Sequence, residues 1–153
     1  MTISCRLFVL CSALAMCVGV HAEDEVRFTA NNAHWRSECG SCHLAYPPQL
    51  LNARAWKQIM ARLDRHFGSD ASMEPALVTE IQAFLVQHAG RRAAGETNSL
   101  PRITSSSWFA EHHHDVPARV WKSAAVKSPS NCAACHRQAE NGDFDDDSVQ
   151  LPK

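Results

Sequence analysis

Two stretches of this chain decide its fold: Cys39-Gly40-Ser41-Cys42-His43 and Cys132-Ala133-Ala134-Cys135-His136. Both have the form C-x-x-C-H, and we call them the first motif (39–43) and the second motif (132–136). The 153-residue chain has seven cysteines. Three of them lie in the first 22 residues, so the two motifs contain every cysteine of the remaining chain.

The spacing of the motif suits covalent attachment of haem c. Two thiols three positions apart on a helical turn reach the vinyl groups on one side of a haem, and the next imidazole points at the iron. We therefore predict two covalently bound haems c. Their thioether bonds would be made by Cys39, Cys42, Cys132 and Cys135, and their proximal iron ligands would be His43 and His136.

Two other uses of paired cysteines explain the pattern less well. A four-cysteine zinc site would leave the histidine after each pair unexplained, and its two pairs usually lie roughly 15–20 residues apart. Here they lie at 39–42 and 132–135. A thioredoxin-like redox motif needs a βαβ setting, which the sequence does not indicate.

Residues 1–22 are predicted to be a signal peptide. Arg6 precedes an apolar run from Leu7 to Val20, and the run is followed by small residues suited to cleavage between Ala22 and Glu23. A run of about 14 residues is shorter than the roughly 20 that a spanning helix needs, which argues against an uncleaved anchor. We expect export, with no stable membrane insertion after cleavage. In an oxidising compartment, the absence of any cysteine outside the two motifs after residue 22 favours covalent haem attachment.

The bulk composition excludes one class of partner. The formal net charge is −1, and no basic run or basic-aromatic alternation is present. We therefore expect no nucleic acid binding.

The remaining chain is predicted to be mainly α. Apolar residues at helical spacing predict one helix from Arg54 to Phe67, ended by Gly68. A second helix would be capped by Asp70 or Ser72, with Pro75 in its first turn, and would stop at Gly90. A short helix is expected near 116–125, and the acidic stretch 141–147 is expected on the surface.

The expected organisation is a small cytochrome c-like helical haem domain over 23–95, followed by a loop-rich second haem segment over 96–153. Residues 91–107 are rich in Arg, Gly, Asn, Ser and Thr and contain Pro101, which is typical of a linker.

The second axial ligand of each iron decides the function, because a filled site carries electrons whereas an open site binds small ligands. His66 continues the predicted first helix face, three positions after Leu63. His88 and Met73 are alternatives, His88 being also a candidate for a helix C-terminal residue. For the second haem, one member of the run His112-His113-His114 is the candidate, and a fully solvated polar cluster is the other interpretation.

The sequence resembles the dihaem cytochrome c family of small bacterial periplasmic proteins. The resemblance lies in 38–48 with its Tyr-Pro-Pro, in Trp56 leading to His66-Phe67-Gly68, in Trp108-Phe109, in 116–118 and in 131–142. It implies low-spin haems with two histidine ligands each, with His66 and His113 as the distal ligands. The run of three histidines departs from the family pattern and leaves His112 and His114 as alternatives to His113.

The resemblance implies an electron carrier of the periplasm rather than an enzyme. Its expected partners are redox proteins, among them a monohaem cytochrome of the sphaeroides haem protein type and a membrane cytochrome b. Two other functions stay open: a haem enzyme or gas-binding protein with one open axial site, and the dihaem subunit of a periplasmic reductase. The sequence does not indicate which distal histidine serves which haem.

Overall fold

Five short α-helices, joined by loops and single 3-10 turns, form the regular structure of this computed structural model, which describes residues 27–91 and 100–152. The helices are α1 (Ala33–Cys39), α2 (Ala53–Met60), α3 (Pro75–Gln87), α4 (Ser107–His112) and α5 (Ala118–Trp121). Within those two ranges, β-structure is limited to three isolated bridges. The mainly α fold class is confirmed. The predicted signal peptide and residues 92–99 of the predicted linker lie outside the described residues.

Side chains at the helix starts explain where three of these helices begin. The side-chain oxygens of Asn32, Asn52 and Ser106 accept hydrogen bonds from the third backbone N–H that follows each of them. These bonds satisfy N–H groups that the first turn of a helix leaves without a partner. α1 was not predicted from the sequence.

The second predicted helix begins later than its predicted cap. α3 starts at Pro75, whose fixed φ suits the first helical position, and Glu74 precedes it without a side-chain cap. Asp70 instead accepts a hydrogen bond from the N–H of Ser72, which forms a local turn. The predicted cap at Asp70 or Ser72 is therefore wrong. His88 ends the helix, two residues before the predicted stop at Gly90.

The first predicted helix is too long by about two turns. α2 ends at Met60, and the backbone of Arg62 (φ −139°, ψ 38°) has left the helical region. A 3-10 turn over Leu63–Arg65 and positive φ angles at Phe67 and Gly68 follow. The apolar spacing continues past Met60 because a 3-10 turn of three residues has nearly the same spacing as an α-helical turn. Its backbone hydrogen bonds follow a different pattern, so the α-helix itself ends at Met60. The short C-terminal helix is likewise only Ala118–Trp121.

The core lies where α2 and α3 pack together under α1. Its buried members are Trp35, Leu51, Ala55, Trp56, Ile59, Met60, Ile81, Phe84 and Leu85. At the turn before α2, the carbonyl of Pro48 accepts a 2.7 Å hydrogen bond from the indole N–H of Trp56. At the far end of α3, a Cβ on Gly90 would lie 2.0 Å from the carbonyl oxygen of Gln49, so the two segments approach as closely as only glycine allows.

The N-terminal segment of the described chain is tied to the C-terminal segment. The N–H of Phe28 donates to the carbonyl of Gly142 at 2.8 Å, and Gly142 has a φ of +77°. The guanidinium of Arg36 donates to the carbonyl of Glu140 at 2.9 Å. Phe144 is buried under the ring of Phe28, at 5.4 Å between centroids. The expectation that 141–147 lies wholly on the surface is therefore wrong for Gly142 and Phe144.

Candidate functional site

The structure brings His66 next to His43. Their ring centroids are 6.3 Å apart and their planes meet at 21°. His43 stands in the turn after α1, and His66 follows the 3-10 turn after α2. We call these two residues the first histidine pair.

The structure also brings His113 next to His136. Their ring centroids are 6.1 Å apart, with planes at 71°. His113 follows the last residue of α4, and its ring stacks on Phe109 at 4.1 Å. Phe144 lies 5.1 Å from His136 on the other side of this second histidine pair.

Both separations fit an iron between two imidazoles. Two rings that share one metal ion, each with a bond of about 2.0 Å, have centroids roughly 6 Å apart. In each pair one ring is oriented by the backbone, since His43 Nδ1 is 2.7 Å from the carbonyl oxygen of Leu44 and His113 Nδ1 is 2.9 Å from that of Phe109. If these contacts use the Nδ1–H, Nε2 is left to coordinate, which is how metal-binding histidines are usually held.

The surroundings of His66, His113 and His136 favour the neutral imidazole, which is the form that binds a metal. Burial lowers the pKa of His66, and the neighbouring His43 and Arg102 act in the same direction. Burial also lowers the pKa of His113 and of His136. Near His136, the carboxylates of Asp146 and Asp143 oppose that shift.

A cavity of about 480 Å³ surrounds the first histidine pair. Its wall contains Cys39, Cys42, His43 and His66 together with core side chains, among them Trp56, Met60 and Leu85. A volume in this range and a mainly apolar wall are typical of sites for organic cofactors. The residues present therefore fit a haem attached through the first motif.

The same cavity reaches the second motif. Ser130 and Cys132 form part of its wall, and Tyr46 joins them to the first histidine pair. The ring of Tyr46 stacks on His43 at 4.7 Å, and its hydroxyl donates to the carbonyl of Ser130 at 2.7 Å. Burial raises the pKa of Tyr46 to about 12, so the phenol keeps its proton at neutral pH.

The buried thiols are protonated at neutral pH. Burial raises the pKa of Cys39 to about 11, with a smaller contribution from Glu38, and it raises the pKa of Cys132 to about 11. All four motif cysteines are free of disulfides. In 27–91 and 100–152 there is no group of three or more His, Cys, Asp or Glu side chains placed to hold a metal ion, as a four-cysteine zinc site would require.

The alternative ligands lie in other surroundings. His88 ends α3 with its ring 4.9 Å from Phe84, which agrees with its interpretation as a helix C-terminal residue. His112 lies against Trp108, and His114 contacts Asp115 at 3.2 Å. Met73 is half-buried against the core and lines the cavity, so its position keeps it as an alternative axial ligand. The four axial ligands stay predictions, which the ring separations support.

Three residues of the site were not singled out from the sequence: Tyr46, Arg102 and Phe144. Arg102 lies over the ring of Phe67 at 4.3 Å and is the only Lys or Arg among the residues that form the cavity wall. Tyr46 belongs to the Tyr-Pro-Pro stretch already noted, which gave a signal for its importance but not for its contacts.

No helix in the described part of the chain has the length and apolarity to cross a membrane.

Comparisons with known proteins give one consistent result. The family model for dihaem cytochrome c matches residues 35–144. A solved dihaem cytochrome c from Shewanella baltica OS155 is 41% identical, with a TM-score of 0.72, and the match covers 79% of this chain and 93% of that one. Two structures from Rhodobacter sphaeroides are 40% and 41% identical with TM-scores of 0.67, and cover 76% of this chain and 99% and 100% of theirs. A comparison with curated proteins found no match.

Proposed function

The chain belongs to the dihaem cytochrome c family, and on that premise we propose that it is a periplasmic electron carrier in which each haem iron has two histidine ligands. Membership implies two haems and haem-based electron transfer. The observation that supports closed axial sites is the separation of the two histidine pairs, 6.3 Å and 6.1 Å between ring centroids.

When bound, the haems supply iron that exchanges one electron between Fe(III) and Fe(II). The chain's own residues would hold that iron six-coordinate in both states, through His43 and His66 at the first site and His113 and His136 at the second. A filled and rigid ligand set changes little on reduction, and it leaves no position for peroxide or a gas to bind. The covalent bonds would come from the four motif cysteines.

The partners and the location of the protein are part of the same proposal. Export through the predicted signal peptide would place the chain in the periplasm. A monohaem cytochrome of the sphaeroides haem protein type and a membrane cytochrome b are the proposed redox partners. Cell fractionation and the mass of the mature N-terminus would test export, with cleavage before Glu23 as the expected result.

EPR of the oxidised protein tests the axial sites. We expect two low-spin signals of equal intensity and unlike g values, because the imidazole planes meet at 21° in one pair and at 71° in the other. The ligand-plane angle sets the splitting of the iron d orbitals, so the two irons differ although their ligands are the same. A stoichiometric high-spin signal that responds to peroxide, or CO binding by the reduced protein, would instead show an open site and an enzyme or gas-binding protein.

Native purification distinguishes a free carrier from the remaining alternative, the dihaem subunit of a periplasmic reductase. A free carrier should elute as a protein of its own size with two haems. Stable copurification with a molybdenum-containing subunit would identify the chain as part of a periplasmic reductase and would overturn the proposal of a free carrier.

A further inference from the structure

We propose that Tyr46 is a positioning residue that fixes the attachment segment of the second haem relative to an axial ligand of the first. The inference rests on the proposed function, since it takes His43 as an iron ligand and Cys132 as a haem attachment site. It concerns the geometry between the two sites, which neither motif specifies by itself.

The backbone of Tyr46 is held in place by the residues that follow it in the chain. It is followed by Pro47 and Pro48, both buried, whose rings fix their φ angles. The carbonyl of Pro48 accepts the indole N–H of Trp56, which anchors the turn to α2. The backbone at Tyr46 is therefore attached to the helical core and not to a loose loop.

The ring of Tyr46 acts on the first site. It lies 4.7 Å from the ring of His43 with an interplanar angle of 21°. The contact between His43 Nδ1 and the carbonyl oxygen of Leu44 limits the imidazole from one side, and the phenol face limits it from another. Together they restrict rotation of the imidazole, and with it the ligand plane presented to the iron.

The hydroxyl of Tyr46 acts on the second site. It donates at 2.7 Å to the carbonyl of Ser130, which also accepts a weak hydrogen bond from the thiol of Cys132 at 3.7 Å. Thioether formation removes the thiol proton, and then Tyr46 is the donor that remains on that carbonyl. One hydroxyl thus connects two segments 84 positions apart in the chain.

The loop around Ser130 transmits this constraint to the second motif. The side-chain amide of Asn131 donates to the carbonyl of the buried Val126, and the N–H of Ser130 donates to the hydroxyl of Ser128. The 3-10 turn Cys132–Ala134 follows directly. Fixing the carbonyl of Ser130 therefore fixes the start of the turn that begins at Cys132 and leads into Cys135.

The test compares Tyr46→Phe with Tyr46→Leu in the haem-loaded protein. Tyr46→Phe keeps the stacked ring and removes only the hydroxyl, so the EPR signal of the first haem should persist. Amide hydrogen exchange over 128–136 should accelerate by roughly tenfold, the factor that corresponds to about 1.4 kcal/mol of lost hydrogen-bond stabilisation. Tyr46→Leu should accelerate exchange in the same segment and also shift the g values of the first haem, because the ring contact is lost.

Ser106→Ala is the matched control. It removes a buried hydroxyl that donates to a carbonyl, that of Ile103 at 2.8 Å, and it should accelerate exchange near α4 while leaving 128–136 unchanged. Wild-type exchange over 128–136 in Tyr46→Phe would overturn the inference, and so would acceleration spread evenly over the chain. Either result leaves the two low-spin signals of the unmodified protein intact, so the inference fails without the proposed function.

Discussion

Individual histidines distinguish the two sites. His113 is the member of the run 112–114 whose ring faces another imidazole, at 6.1 Å from His136. Its neighbours on either side contact Trp108 and Asp115 instead. The end of α4 explains the difference, since His112 is its last residue and the backbone of His113 (φ −123°, ψ 14°) has left the helix, so the three side chains point in different directions. His66 reaches its partner from a turn, whose backbone no longer follows helical spacing.

Substituting these residues with methionine tests the pairing. His66→Met and His113→Met should each raise one of the two midpoint potentials, because His–Met iron has a higher potential than bis-His iron. His66→Met should remove the EPR signal of the near-parallel pair, and His113→Met that of the near-perpendicular pair. The matched variants His112→Met and His114→Met should leave both potentials unchanged. A raised midpoint potential in either of these two variants would show that the substituted histidine, and not His113, is the distal ligand.

Close contacts between helices and turns position the predicted iron ligands. The end of α3 lies against the turn before α2, where Gly90 meets the backbone of Gln49. That turn continues into Tyr46 and His43 on one side and α2 on the other. The packing of α3 therefore supports the proximal side of the first site.

Two glycines give a graded test of that packing. Gly90→Ala would place a Cβ 2.0 Å from the carbonyl oxygen of Gln49, so the segments must separate. Gly68→Ala meets no atom within 4 Å and only strains a φ of +101°, at a cost of about 1–3 kcal/mol. Chemical denaturation of the haem-loaded variants should show the larger loss for Gly90→Ala. Equal losses would mean that the contact with Gln49 relaxes easily.

Sequence patterns predicted some of these elements and missed others. The spacing in 75–87 predicted α3 almost completely, because its helix is long enough for the pattern to repeat. It failed after Met60, where a 3-10 turn keeps an apolar spacing without the α-helical hydrogen bonds. α1 was missed because it is short, has few apolar residues besides Trp35, and is stabilised by its Asn32 cap and by packing. The motifs predicted the attachment residues, whereas the contacts of Tyr46 depend on segments far apart in sequence.

Across the whole molecule, the two sites differ in their charged surroundings. Arg102 stands over Phe67, whose ring is 4.8 Å from His66. Asp143 and Asp146 lie near the second pair and act electrostatically on His136. A positive charge favours the reduced iron and a negative charge favours the oxidised iron, so the first site should have the higher potential.

Arg102→Gln tests this asymmetry. The potential of the first site should fall by on the order of a few tens of millivolts, since Arg102 is exposed and water screens its charge. The second potential should change less. Arg54→Gln removes a charge from the exposed face of α2 and serves as the control. A potentiometric titration followed by EPR assigns each value, and an unchanged first potential would contradict the predicted ordering.

The attachment of the N-terminal segment to the C-terminal segment bears on the order in which the molecule folds. Arg36 and Glu140 are 104 positions apart, and Phe28 meets Gly142 across a comparable length of chain. Closing so long a loop costs entropy before any contact repays it, whereas α2 and α3 are close in sequence and associate early. The contact between the two ends therefore forms late. We expect the first motif, which begins three residues after Arg36, to stay accessible for haem attachment until that contact has formed.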